Sequence, residues 1–414
     1  MKLLFIILQV AIGLFAQNPD FSASNLSGYY PQDTLVSEAP AGYKPFYISH
    51  IARHGSRFLV NGKNFKVIDQ LNEFAQAGKL TEEGLAMMQD LRTLHAMSEG
   101  HYGELTPLGE REHREICNRM VRHYPEVFQD ENRRHIDAYS TNSGRVIKSM
   151  ESFLEEFDEL TSGIRVEKNI TRKGCDPKVN QEVRGYHISK EDKELGKKNG
   201  KHFSATRRKL QKGHNFKEFA AKIFVYPDSI ETKKINEIAR MSQYCFRTAI
   251  MVEMTAMDPL RRYFTPDELY NLWLSADFSW AKYLQYPGMK HFTYPYGKGI
   301  IDCMVEDAEE AVGKRSHTAA TLRFSHDTYL MPLMAAFPFE GLYLECEDSQ
   351  IPEVFQDWRY VCPACNVQMI FFRNKKNKVL VKFLVNEKET LLHGLAPDTG
   401  CFYEWNRVKK FLKG

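Results

Sequence analysis

The stretch Phe46-Tyr-Ile-Ser-His-Ile-Ala-Arg-His-Gly-Ser-Arg57 decides the fold of this chain. Its first half alternates and is rich in aromatic and β-branched residues, which predicts a buried β-strand. Its second half is a polar turn that carries Arg53, His54 and Arg57. In open α/β sheets, ligands bind beyond the carboxyl ends of the strands. We therefore predict that this turn forms part of a binding site.

The residue types in the turn suit a phosphate group. Arginine offers a planar fork of N–H donors that fits phosphate oxygens and keeps its charge at any working pH. Positive charge on Arg53 and Arg57 disfavours protonation of His54, and a neutral imidazole has a lone pair that can attack phosphorus. Gly55 lets the backbone approach an anion closely. The alternative is a basic surface turn that contains a histidine by chance.

Two later segments repeat the plan of a strand that ends in polar residues. Thr321-Leu-Arg-Phe-Ser-His-Asp-Thr328 predicts a strand followed by His326 and Asp327. Ile136-Asp-Ala-Tyr-Ser-Thr-Asn-Ser-Gly-Arg145 predicts another, after which Arg145 falls in the first turn of an amphipathic helix. Free N–H groups at a helix N-terminus favour anions, so an arginine there suits phosphate binding. The alternative is a solvated arginine.

These motifs, in this order, resemble those of the histidine acid phosphatase branch of the histidine phosphatase superfamily. The resemblance rests on Arg53-His-Gly-Ser-Arg57, on Leu105-Thr-Pro-Leu-Gly109 and on His326-Asp327. It implies an α/β fold of the phosphoglycerate mutase type, a three-layer sandwich with an inserted, mainly helical cap. It also implies hydrolysis of phosphomonoesters through a phosphohistidine, with no cofactor and no metal.

The same resemblance implies a role for each site residue. His54 would attack phosphorus, and Asp327 would protonate the leaving alkoxide. The phosphoryl oxygens would be held by Arg53, Arg57, Arg145 and His326. Because Asp327 must begin protonated, we expect the highest activity below neutral pH.

The substrate class stays open at this point. The Arg-His-Gly-Ser-Arg context and the Ser149-Met-Glu-Ser-Phe153 helix look like the group of multiple inositol polyphosphate phosphatases and phytases. That group typically has His-Ala-Glu where this sequence has His326-Asp327-Thr328, and often proline where it has Leu59. The interpretations are therefore an inositol polyphosphate (phytate) phosphatase and a general acid phosphatase acting on sugar or other organic phosphates.

The chain is organised as a leader, a split α/β domain and an insertion. Residues 1–16 hold one lysine and a short apolar run that ends in alanine, which predicts a cleaved signal peptide. We expect a secreted or periplasmic protein without an integral membrane segment after cleavage. The α/β catalytic domain is predicted to comprise 17–163 and 301–414, and the helical cap 164–300.

Composition excludes few classes of protein, but it bears on partners. The hydrophobic and charged fractions of the 414 residues are 43% and 26%, as in an ordinary globular protein. A net charge of +3 argues against a nucleic-acid-binding protein, so a phosphorylated small molecule is the expected partner. Lysines and arginines crowd residues 197–217 of the cap, where they contact substrate phosphates or form a solvated face.

Local patterns predict several elements around these motifs. Residues 17–45 show little periodicity and are predicted to be an irregular lead-in. Thr106 and Pro107 are predicted to open a helix as N-cap and first helical residue. Thr265-Pro-Asp-Glu268 is a capping box for a cap helix. Alternating runs at 367–372 and 379–384 predict a β-hairpin.

The eight cysteines include one close pair, Cys362-Pro-Ala-Cys365. Redox pairs of this spacing usually open a helix, whereas this pair precedes a strand pattern. No second pair completes a zinc site. We therefore predict a structural disulfide involving these cysteines, with a thiol oxidoreductase as an alternative. Two further alternatives are a phosphoglycerate-mutase-like transferase and a non-catalytic phosphate-binding protein.

Overall fold

The structure is a computed structural model, and the residues that it describes are 14–15, 17–29, 36–171, 178–179, 190–212, 215–281, 283, 290–313, 315–343, 346 and 350–413. Most of the predicted signal peptide, residues 1–13 and 16, lies outside these ranges. Among the described helices, none is both long enough and apolar enough to cross a membrane.

One mixed sheet forms the centre of the molecule. Its strand order is β3-β2-β4-β1-β5-β6-β7, and β8 pairs with β6. The strands are β1 (Tyr43–Arg53), β2 (His135–Ser140), β3 (Arg165–Ile170), β4 (Thr318–Ser325), β5 (Asn366–Asn374), β6 (Val379–Val385), β7 (Lys388–Thr390) and β8 (Tyr403–Glu404).

Strand direction explains why the predicted site residues meet. Strands β1, β2, β3 and β4 are parallel neighbours, whereas β5, β6, β7 and β8 pair in antiparallel fashion. Arg53 at the end of β1 is in register with Ser325 of β4, and Ser140 of β2 is in register with Phe324. The turns that follow β1, β2 and β4 therefore lie together at the carboxyl ends of these strands, which we call the site edge of the sheet.

The described residues of the chain form fifteen α-helices. They are α1 (Val67–Gln76), α2 (Glu82–Ser98), α3 (Pro107–His123), α4 (Pro125–Gln129), α5 (Gly144–Leu160), α6 (Lys190–Lys212), α7 (Lys217–Ile223), α8 (Thr232–Met251), α9 (Pro259–Tyr263), α10 (Pro266–Ala281), α11 (Lys290–Val312), α12 (Asp327–Ala336), α13 (Ile351–Val354), α14 (Asp357–Tyr360) and α15 (Trp405–Lys413). Short 3₁₀ helices cover Pro19–Leu26, Lys63–Lys66 and Pro227–Ser229.

Helices cover both faces of the sheet, because both faces of its central strands are apolar. In β1, Tyr47 and Ile51 belong to a core shared with α11, α12 and α15. Ile48 and Ala52 point to the opposite face, into a core shared with α3 and α5. This alternation is what a strand buried on both sides requires. The predicted α/β three-layer sandwich is confirmed.

The helical cap is larger than the predicted insertion, and its limits differ. Residues 165–170 form strand β3 of the central sheet, so the insertion begins after Ile170 rather than at residue 164. Residue 300 lies inside α11. Helices α1 and α2, which the sequence placed in the α/β domain, share a core with α7, α8, α9 and α10. Phe15 of the predicted leader packs in the same core.

Several predicted local signals are present in the structure. The Thr106 hydroxyl accepts the Gly109 N–H at 3.3 Å and caps α3. In the capping box of α10, the Glu268 carboxylate accepts the Thr265 N–H at 3.0 Å while Glu268 N donates back to the Thr265 hydroxyl. Strands β5 and β6 form the predicted antiparallel hairpin.

The basic stretch of the cap lies mainly on α6, which contacts α10 and α11. Residues 213–214 of this stretch lie outside the described part of the chain. Its basic side chains that the structure describes are exposed, namely Lys197, Lys198, Lys201, Arg207, Arg208, Lys209 and Lys217.

Two histidines are buried between the central sheet and helix α3. His50 of β1 and His113 of α3 are both fully buried. Their ring centroids lie 5.7 and 5.6 Å from that of Phe324. Burial lowers the pKa of each from 6.5 to about 3. Both rings are therefore neutral in the folded protein at neutral pH.

The pair predicts a loss of stability in acid. The unfolded chain binds protons at both rings below pH 6.5, whereas the folded chain binds them only near pH 3. The free energy of unfolding should therefore be retained above pH 6.5 and fall on acidification, by about 1.4 kcal/mol per pH unit for each histidine. Urea unfolding between pH 6.5 and 4.5 should show a shallower fall for His50→Leu. The same slope in the wild type and this variant would contradict the prediction, and His123→Leu, an exposed site, is the control.

Candidate active site

His54 is locked at the end of β1 by the two neighbouring strands. Its N–H donates to the Ser325 carbonyl, and its own carbonyl accepts the Ala364 N–H, both at 3.0 Å. The ring Nδ1 lies 2.8 Å from the Gly55 carbonyl. A carbonyl can only accept a hydrogen bond, so Nδ1 carries the proton and Nε2 keeps its lone pair.

His54 is neutral for two reasons. Its burial, followed in size by the charges of Arg53, Arg145 and Arg57, holds its pKa well below 6.5. The imidazole is therefore neutral, as predicted, but burial lowers its pKa more than the three arginines do. A neutral ring with a free Nε2 is the nucleophilic form of histidine.

Arg53 does not present the open fork that its sequence position suggested. Its side chain is fully buried, and Nη1 donates to the carbonyls of Asn25 and Val361, both at 2.6 Å. Nη2 lies 2.9 Å from Oδ2 of Asp327. Arg53 thus forms a buried ion pair with the residue that the sequence predicted to be the proton donor.

Asp327 is the first residue of α12. Burial raises the pKa of Asp327, but the charges of Arg53 and Arg57 and the N–H groups of Asn25 and Thr328 lower it by more. The pKa is therefore below its ordinary value of 3.8. The carboxyl group is therefore ionised at neutral pH in the ligand-free protein.

His326, the N-cap residue of α12, faces His54 with 5.6 Å between ring centroids. Its Nδ1 lies 3.5 Å from Nη2 of Arg145, which can only donate, so Nε2 carries the proton and donates to the Thr141 hydroxyl at 3.2 Å. Burial, then Arg145, lowers the pKa of His326 to about 4. Arg145 lies in the first turn of α5, as predicted.

Arg57 completes the cationic group. It pairs with Leu105 in an isolated β-bridge, and its Nη1 donates to the Phe58 carbonyl at 2.9 Å. Burial, followed by Arg53 and Arg145, lowers its pKa to about 10, so it remains charged at neutral pH. Three guanidinium groups face one ionised carboxylate. The site therefore has two excess positive charges, which match a phosphate dianion.

The six predicted site residues thus lie together at one edge of the sheet, and helices α3 and α5 support the loop between them. Glu112 of α3 accepts the Ser56 N–H at 2.6 Å, the Ser56 hydroxyl at 2.7 Å and the Tyr29 N–H at 3.0 Å. Gly55 donates its N–H to the Ser149 hydroxyl at 3.1 Å. A Cβ at Gly55 would lie 2.4 Å from a backbone oxygen of α3, so only glycine fits.

The N-terminal segment also contributes to the site, which its sequence did not indicate. Residues 19–26, predicted to be irregular, form a 3₁₀ helix that reaches the site. Asn25 contacts both Arg53 and Asp327. The short sequence of this segment has no periodic pattern from which a contact with the site could be predicted.

The predicted disulfide at Cys362 and Cys365 is wrong, since both are free thiols in the structure. The segment serves the site through its backbone, because the Cys365 carbonyl accepts the Arg53 N–H at 2.9 Å. Burial raises the pKa of Cys365 to about 12 and that of Cys362 well above its usual value. Such thiols are poor nucleophiles, which disfavours a redox function.

Other clefts and clusters lie apart from these residues. Cavities of about 320 and 790 Å³ border the N-terminal segment, and none of the six site residues lines either. His135, Asp137 and Glu167 bring three possible metal ligands together on β2 and β3. His135 begins β2, so about 16 Å of strand separates it from the site edge.

The profile of the histidine phosphatase superfamily (branch 2) matches residues 48–386. The chain belongs to this family. This match confirms the predicted family, and with it the expectation of an enzyme that acts on phosphomonoesters. No curated protein sequence matched the chain.

Solved structures of low identity share the fold. A multiple inositol polyphosphate phosphatase from Bifidobacterium longum, in complex with inositol hexasulfate, is 19% identical, with a TM-score of 0.78 over 94% of this chain and 97% of that chain. The phytase from D. castellii is 15% identical, with a TM-score of 0.67 over 95% and 84%. A Hafnia alvei phytase is 10% identical, with a TM-score of 0.54 over 91% and 98%.

Glu112→Gln should destabilise the histidine phosphatase fold. The glutamine side chain keeps one acceptor oxygen and replaces the other with an NH₂ group, which cannot accept a hydrogen bond. The backbone N–H of either Ser56 or Tyr29 therefore loses its acceptor. We expect the free energy of unfolding to fall by about 1–3 kcal/mol in urea titrations. Glu115→Gln on the same helix, an exposed position, should change it by less than about 0.5 kcal/mol. Equal stability of both variants would contradict the role assigned to Glu112.

Proposed function

We propose that this enzyme hydrolyses phosphomonoesters through a phosphohistidine at His54. The observation that carries the proposal is a neutral imidazole, with Nε2 unprotonated, inside a group of residues that has two excess positive charges. Such a site attracts a phosphate dianion and offers it a nucleophile.

In the first step, Nε2 of His54 attacks phosphorus and the bond from phosphorus to the ester oxygen breaks. Asp327, protonated when the ester binds, transfers its proton to the departing oxygen, and the alcohol leaves. In the second step, water attacks the phosphohistidine while the Asp327 carboxylate takes one of its protons. Inorganic phosphate leaves, and His54 and Asp327 return to their starting states.

The phosphoryl oxygens are bound by Arg57, Arg145 and His326 in this proposal. Arg53 contributes mainly its charge and its Nη2 atom, because two backbone carbonyls already occupy Nη1. These groups stabilise the spread of negative charge as the phosphoryl group transfers.

For the substrate we propose inositol polyphosphates such as phytate. The shared fold with an inositol polyphosphate phosphatase and with phytases supports this proposal, as does the exposed basic face of α6. A general acid phosphatase acting on sugar phosphates is the second candidate, favoured by Asp327 at a position where the phytase group typically has alanine. The predicted leader at residues 1–16 supports export from the cell or into the periplasm.

The activity is tested with p-nitrophenyl phosphate, phytate and glucose 6-phosphate. His54→Ala should lower kcat at least about 10³-fold on all three esters, because no nucleophile remains. Asp327→Asn should lower kcat about 10²-fold on phytate, whose alkoxide needs a proton. His123→Ala and Asp158→Asn, both at exposed positions, are the matched controls.

The outcomes separate the alternatives. Turnover that survives His54→Ala would exclude the phosphohistidine, and phosphate binding without any turnover would favour a non-catalytic binding protein. Glucose 6-phosphate turned over better than phytate would favour a general acid phosphatase. Phosphoryl transfer to an added alcohol or sugar phosphate in preference to water would favour a transferase.

The pH profile follows from the different environments of the acid and the nucleophile. Asp327 is ionised at pH 7, so kcat on an alkyl phosphate should rise as the pH falls from 7 toward 5 and more of the enzyme holds the proton. Burial and the three arginines hold the pKa of His54 well below 6.5, and His326 protonates only near pH 4. A rate that falls steadily between pH 7 and 5 would contradict this assignment, and Asp327→Asn should lose the rise.

A further inference from the structure

The N-terminal 3₁₀ helix, Pro19–Leu26, is fixed to the cap and to the α/β domain at several points. The Phe21 ring stacks on Trp358 with 3.8 Å between centroids and 6° between planes. The Ser22 carbonyl accepts the Gln243 side-chain amide of α8 at 2.8 Å. The Ser24 hydroxyl donates to Asp357 at the start of α14. These contacts determine where Asn25 lies.

Asn25 contacts both members of the buried ion pair. Its carbonyl accepts Nη1 of Arg53 at 2.6 Å, and its side-chain amide donates to Oδ2 of Asp327 at 3.0 Å. A residue some 300 positions away in sequence thereby touches the proposed proton donor.

The two oxygens of Asp327 are not equivalent. Oδ2 accepts a hydrogen bond from the Asn25 side-chain amide at 3.0 Å and lies 2.9 Å from the positively charged Nη2 of Arg53, so a proton on Oδ2 is disfavoured. Oδ1 accepts only the Thr328 N–H at 2.8 Å among the contacts of the described residues. When Asp327 takes up a proton, the remaining lone pair of Oδ1 is therefore the position that receives it.

We propose that Asn25 is a positioning residue for the proton transfer, because it occupies Oδ2 of Asp327 and so holds the transferable proton on Oδ1. This inference rests on the proposed role of Asp327 as the proton donor. Without Asn25, Oδ2 loses its hydrogen-bond donor and becomes a second position for the proton, which then divides between two oxygens, only one of which faces the leaving oxygen.

The leaving group decides how much this matters. A p-nitrophenolate departs readily without a proton, whereas the alkoxide of glycerol 2-phosphate needs one. An effect of Asn25 through Asp327 should therefore appear with the alkyl ester and be small with the aryl ester. General loosening of the site would slow both esters equally.

The experiment compares kcat for the two esters in the wild type and in Asn25→Ala. We expect kcat for glycerol 2-phosphate to fall about 10-fold or more, and kcat for p-nitrophenyl phosphate to change less than about 3-fold. The alkaline limb of kcat for glycerol 2-phosphate should move to higher pH, because one donor to the ionised carboxylate is lost.

Two further variants separate shape from hydrogen bonding. Asn25→Asp keeps the shape but removes the N–H donor, so it should also lose activity selectively on the alkyl ester. Asn18→Ala changes an asparagine of the same segment, the one that caps Asp20, and touches neither Arg53 nor Asp327. It should retain the wild-type ratio of the two rates.

The outcomes also separate this inference from the proposed function. An equal fall on both esters in Asn25→Ala, no fall on either, or wild-type behaviour of Asn25→Asp would overturn the role of Asn25. The wild-type rates and the His54→Ala control report independently on the proposed function, because they do not depend on the ratio of the two esters.

Discussion

The structure depends on one fully buried guanidinium group, that of Arg53. A buried charge without partners is strongly destabilising, so the chain must bring acceptors to it. It does so from three distant segments, through the carbonyls of Asn25 and Val361 and the carboxylate of Asp327. The convergence of these segments on the end of β1 is what assembles the site.

The same group divides the chemistry between two residues. Burial, and after it the positive charge, keeps His54 neutral, while the positive charge keeps Asp327 ionised until a substrate binds. A bound phosphate dianion opposes this second effect, because negative charge beside a carboxylate raises its pKa. In the proposed mechanism, this environment provides a nucleophile and an acid at the same pH, which is the general way in which a fold sets acid and base roles.

Much of the fold and of the site was predictable, because it depends on short local patterns. The strand before Arg53, the helix after Arg145 and the site edge of the sheet follow from alternation, helix position and parallel pairing. The ion pair between Arg53 and Asp327 was not predictable, since it depends on how deeply a side chain is buried. The contacts of Asn25 with the site were not predictable for a related reason, because long-range packing leaves no periodic pattern in the sequence. The same reason applies to the packing of α1 and α2 in the cap core.

The most direct test of the account is to trap the phosphorylated enzyme. Mixing the wild type with ³²P-labelled ester and quenching within milliseconds should leave label that is stable in alkali and labile in acid, as expected of a phosphoramidate. Peptide mapping should place this label on the peptide that contains His54. Label on another residue, or steady turnover with no labelled enzyme under any quench, would contradict the account.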